Sequence, residues 1–223
     1  DAAIKDFTAA ITLVPDQPDS YLGRGRAYSQ KNNSDAAIND FDAALKLRPA
    51  DAFALHSRGY EYGKRSDWAR AIADYDKAIE LEPTDSEIWL HRGMAYSESN
   101  QPDAADRNYT RAIELDGSNS AAFYYRGSLR SEKSDYEQAL VDLTRYIELA
   151  PNDPDGYFAR AGVFIDIDVK DKALDDLTTV IRLSPKDASA FTNRGLVYLR
   201  SGEYAKAVED SSTAIRLDPS DPV

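Results

Sequence analysis

Cysteine is absent from the 223 residues, methionine occurs once and histidine twice. Disulfides, thiolate chemistry and cysteine-ligated zinc are therefore excluded, although this lack does not choose between cytoplasm and periplasm. The two histidines, His56 and His91, with Ser57 beside the first, leave little material for metal or nucleophilic chemistry and read as ordinary polar residues on a helix. No apolar run is long enough to span a bilayer, and no signal peptide is expected among these residues. Positive charge is in the minority, with 27 basic against 39 acidic residues and a net charge of -12, so the mean field repels nucleic acid and anionic membrane surfaces. These absences predict a soluble, cytoplasmic, non-catalytic protein that needs no cofactor and whose partners are proteins or peptides.

What the chain does have is a period. Ala3, Ala37, Ala71, Ala105, Ala139, Ala173 and Ala207 are spaced 34 residues apart. Within one period, 51–83, the residues Leu55, Gly59, Tyr62, Ala71, Tyr75, Ala78 and Pro83 form two amphipathic helical runs with a polar break near Lys64–Asp67. Small residues at Gly59, Ala71 and Ala78 let two helix backbones approach, and Leu55, Tyr62 and Tyr75 fill the space around that contact. One hairpin cannot bury its own apolar face, so the repeats must stack.

The glycine position reads Gly25, Gly59, Gly93, Gly127, Ala161 and Gly195, and the proline position Pro15, Pro49, Pro83, Gly117, Pro151, Pro185 and Pro219. On these residues the whole chain resembles the tetratricopeptide repeat family. The resemblance implies an all-α fold, a right-handed superhelical α-solenoid of 34-residue helix-turn-helix repeats whose concave face holds a peptide or another protein. The predicted organisation is a single array over 1–223. Residues 1–17 supply the second helix of a truncated repeat, and six full repeats begin near 18, 52, 86, 120, 154 and 188. Helices are expected at 18–31, 35–48, 52–65, 69–82 and so on to 205–218, with N-caps at Asp51, Asp85, Asn119, Asp153 and Asp187. Asp218-Pro219-Ser220-Asp221-Pro222 reads as the start of one more helix, capped at Asp221, so the chain is taken as a piece of a longer array.

Two further regularities bear on function. Arg24, Arg58, Arg92, Arg126, Arg160 and Arg194 recur in phase with Asp40, Asp74, Asn108, Asp142, Asp176 and Asp210, a pattern suited to a ladder of bidentate pairs between helices. The fifth repeat is the least regular, with β-branched residues in Phe164–Val169 where a first helix should end; its Asp166-x-Asp168 lacks the glycine and glutamate of a calcium loop.

The groove is expected from first-helix positions flanking the glycine, as the resemblance implies: Leu22, Arg26, His56, Tyr60, Leu90, Met94, Tyr124, Phe158 and Leu196, with Glu98, Glu132 and Asp166 as an acidic margin. That set suits a basic-hydrophobic segment. The lysine and asparagine clamp of chaperone-tail binders and the asparagine ladder of glycosyltransferase arms are both missing at the matching places. The leading expectation is an interaction scaffold; the alternative is a regulatory or substrate-recruiting arm of a larger enzyme. Self-association through uncovered terminal helices is a third route to a partner.

Overall fold

The computed structural model describes residues 2–218, which form thirteen α-helices and no strand. They are α1 Ala2–Leu13, α2 Pro18–Gln30, α3 Ser34–Leu47, α4 Ala52–Lys64, α5 Trp68–Leu81, α6 Ser86–Glu98, α7 Pro102–Leu115, α8 Ser120–Glu132, α9 Tyr136–Leu149, α10 Pro154–Asp166, α11 Lys170–Leu183, α12 Ala188–Arg200 and α13 Tyr204–Leu217. Every expected helix is present, and the even-numbered first helices begin where the spacing predicts. The second helices start one residue early. The cap expected at Asp221 lies outside the described residues.

That one-residue shift comes from the turn. Asn32, Ser66, Asn100, Ser134, Asp168 and Gly202 all have φ between 55° and 77°, so a single left-handed residue reverses the chain inside each of the six full hairpins. The next residue is the N-cap position of the second helix, and in the first two full repeats its side chain caps: Asn33 accepts from the Ala36 N–H, and Asp67 from the Arg70 N–H. The fifth repeat keeps the left-handed turn, at Asp168 with φ 57° despite its β-branched neighbours, but Val169 after it offers no side-chain cap. At the first helices Asp51, Asp85, Asp153 and Asp187 cap as expected. The Asn119 amide donates to the Glu87 carboxylate at 3.0 Å.

The chain divides into two compact units, Asp1–Asn119 and Ser120–Val223. In the first, Ile38, Leu55, Tyr62, Tyr75, Ile79 and Ile88 form one core against which Leu22, Trp68 and Trp89 pack. In the second, Ala139, Leu143 and Val163 form one cluster, and Ala161, Phe164, Leu177 and Val197 another. The periodic alanines Ala37, Ala71, Ala105, Ala139 and Ala173 are fully buried, as close helix contacts require.

The arginine ladder is structural. Arg24, Arg58, Arg126, Arg160 and Arg194 each grip, through Nε and Nη2, both carboxylate oxygens of the aspartate 16 residues on. Where Asn108 replaces aspartate, Arg92 Nε donates to its Oδ1 at 2.8 Å. A feature that the spacing did not suggest is the third nitrogen. Nη1 of Arg24, Arg58, Arg92, Arg160 and Arg194 reaches back to the residue 16 before, Thr8, Asp42, Asp76, Thr144 or Thr178, joining each of these five hairpins to the second helix before it.

Candidate functional site

The first helices of the amino-terminal unit line two adjoining pockets. Their faces follow from helix geometry: Phe53, His56, Ser57, Tyr60 and Lys64 lie three, four or seven apart on α4, and His91, Met94, Ala95 and Glu98 do so on α6. Phe53, His56, Ser57, Tyr60 and His91 join Arg26, Ser29, Gln30 and Phe41 around a cavity of about 280 Å³. Tyr60, Gly63, Lys64, Met94, Ala95, Glu98 and His91 join Trp68 and Tyr75 of α5 around a second of about 220 Å³. Tyr60 and His91 belong to both.

His91, which both pockets share, is one half of an imidazole pair. His56 Nε2 and His91 Nδ1 are 2.9 Å apart, so one ring donates and the other accepts. Burial, and next the nearness of His91, push the His56 pKa down to about 4, and burial likewise lowers His91. Both rings are neutral near pH 7. Tyr60 meets His91 edge-on at 5.5 Å, while Tyr75 stacks on His91 at 6.3 Å and has its phenol pKa raised by burial.

Charge is distributed unevenly along the cleft. Arg26 lies over the exposed Phe53 ring at 5.4 Å, in the first pocket. In the second, Lys64 Nζ sits 5.8 Å from the Tyr60 ring centre and 3.3 Å from Glu61 Oε2. Glu61 is fully buried and accepts from the Ser29 hydroxyl at 2.5 Å, bracing α4 against α2. Its Oε2 has no hydrogen bond, although the Lys64 ammonium lies 3.3 Å from it and donates to Oε1 at 3.5 Å. Lys64 and Glu61 thus cancel, and the exposed Glu98 leaves the second pocket net negative.

Of the residues expected in the groove, Arg26, His56, Tyr60, Met94 and Glu98 line these two pockets. Leu22 is half-buried and packs on the core instead. Leu90 is a correction: it is only 3% exposed and belongs to the interior. One residue turns a helix by about 100°, so its neighbour His91 takes the cleft and Leu90 faces inward. In the carboxy-terminal unit Tyr124 is half-buried against Tyr125 and Tyr146, and Phe158 packs on the core of that unit. Glu132 and Asp166 are exposed at the ends of α8 and α10. Leu196 is exposed, but it shares a cavity with Tyr204, Val208 and Ile215 of the second helix α13. Sequence reasoning missed Phe53, Trp68, Tyr75 and His91 as lining residues. Extending the α4 face back by one turn would have found Phe53.

Profiles described as tetratricopeptide repeat match residues 18–51, 52–85 and 74–107, and one of them alone matches 92–154 and 170–222, more than half of the chain. The chain belongs to the tetratricopeptide repeat family. No curated protein sequence matches it significantly. Among solved structures, tetratricopeptide fold likeness extends to Pseudomonas aeruginosa pilF, at TM-score 0.80 and 17% identity over 92% of this chain and 93% of that one. YrrB, described as a TPR protein with an unusual peptide-binding site, gives TM-score 0.68 and 21% identity over 90% of this chain and 100% of that one. The Cut9-Hcn1 hetero-tetramer of the APC/C gives TM-score 0.79 and 18% identity over 99% of this chain, which spans only 44% of that one. At these identities the likeness concerns the fold. Among the described residues no helix is long and apolar enough to cross a membrane.

Proposed function

We propose that this protein is a non-catalytic interaction scaffold that holds an extended peptide segment against α2, α4 and α6 of its amino-terminal unit. The observation that carries the reading is the pair of adjoining aromatic-lined pockets that share Tyr60 and His91. Phe53 and Tyr60 are exposed by 44% and 45%, which makes them anchors available to a partner rather than parts of the core. Arg26 at one pocket and Glu98 at the other give the segment a direction, with its basic side chain beside Glu98. A basic-hydrophobic sequence fits that polarity, and the net charge of -12 draws it in at low salt. YrrB, similar in fold, is described as having a peptide-binding site, which is consistent with this use of the scaffold.

An unbiased peptide display against the intact chain tests the proposal. Enriched sequences should pair aromatic or aliphatic residues with Lys or Arg, and Phe53→Ala and Tyr60→Ala should each shorten residence time by about tenfold while hardly changing the association rate. Enrichment of acidic sequences, or binding that both substitutions leave untouched, would overturn it.

A further inference from the structure

We propose that the pocket bounded by Tyr60, Trp68, Tyr75, Met94 and Glu98 is a receptor for an alkylammonium head, that of a lysine side chain or its methylated forms. This rests on the peptide-scaffold reading and names the side chain that the second pocket takes. Aromatic rings attract a cation over their faces, and they do so best when several faces converge on one point. Here Tyr60 stands at 78° to the His91 plane, and Tyr75, within 21° of that plane, backs His91 from the core, so Tyr60 and His91 form steeply inclined walls. Trp68 and Met94 contribute further polarizable lining, and the Glu98 carboxylate, exposed, supplies the counter-charge.

The charge balance favours a cation over the other occupants. Lys64 is held by the fully buried Glu61, and the imidazole wall is neutral, so Glu98 sets the sign. A carboxylate would be repelled by Glu98. A neutral apolar side chain would desolvate Glu98 without giving it a partner. The about 220 Å³ of the pocket admits a compact head with its methylene stem.

The test uses choline and its uncharged carbon isostere, 3,3-dimethylbutan-1-ol, titrated into the intact chain. Trp68 fluorescence is the readout, with Trp89→Phe removing the only other tryptophan signal. Choline should bind at least about fivefold more tightly than the isostere, with Glu98→Gln narrowing that preference and Tyr60→Ala weakening choline about tenfold. Both substituted residues are exposed, and chemical-shift changes at Tyr60 and Glu98 in the unsubstituted chain give the same answer independently of any variant. Equal binding of the two probes, no choline response, or indifference to Glu98→Gln would overturn the proposal. Peptides that bind through Phe53 with no choline response would sink this inference alone and leave the scaffold reading standing.

Discussion

Arg58 holds both oxygens of Asp74, at 2.7 and 2.6 Å, and with its remaining nitrogen bonds Asp42 of the preceding hairpin at 2.6 Å. The Asp74 hydrogen bond is the main cause that raises the Arg58 pKa. With the Asp74 side chain only 6% exposed, Arg58→Ala strands a buried carboxylate and is expected to cost about 3–5 kcal/mol. Asp74→Asn should cost only about 1 kcal/mol, because the Arg92–Asn108 pair shows that an amide fits the same place. Urea unfolding of the two variants checks the ranking; equal losses would show that the carboxylate is not the stranded group.

Glycine at the repeat position is not equally strict everywhere. A Cβ on Gly93 would come within 2.7 Å of the fully buried Tyr109 ring, whereas one on Gly195 meets Ser211 Oγ at 3.3 Å and nothing closer. Gly93→Val should therefore destabilise by several kcal/mol, of the order of 3, through overpacking. Gly195→Ala should be neutral or gain up to about 1 kcal/mol, since alanine favours the helix. Thermal melts would decide the matter, and an unchanged Tm for Gly93→Val would refute the close contact.

The histidine pair makes stability depend on pH in a defined direction. Folding pushes the His56 pKa from 6.5 to about 4, so between those values the unfolded chain takes up a proton that the folded chain refuses. Stability from this pair is complete above about pH 6.5 and is lost as pH falls toward 4. Because the chain has two histidines, two imidazole C2–H resonances suffice for the measurement. Titration of either near its usual value would show that the pair is not buried as described.

Much of this fold could be read from the 34-residue period, because close-packed alanines and an in-phase Arg–Asp pair leave a helical hairpin few alternatives. The turn was harder to place. Ser66 and Ser134 carry no obvious left-handed signal, and only their common position with Asn32, Asn100 and Gly202 exposes it. The cleft was legible by helix face, which found Tyr60 and Met94, and illegible by depth, which misplaced Leu90. The His56–His91 bond joins residues 35 apart, a relation set by how two helices lean together and not by either helix alone.

Glu61 carries information that the regular repeat erases. The corresponding residues are Ala27, Ala95, Leu129, Val163 and Val197, all apolar, so only the second full repeat buries a carboxylate here. That carboxylate needs the hydroxyl of Ser29, and one repeat later the same slot is occupied by Gly63, which has no side chain to donate. Near-identical hairpins can otherwise slip past one another by a whole period, since each presents much the same face. Glu61 acts as an address against a slip of one period, because Gly63 in that slot would leave the buried acid without its hydroxyl donor.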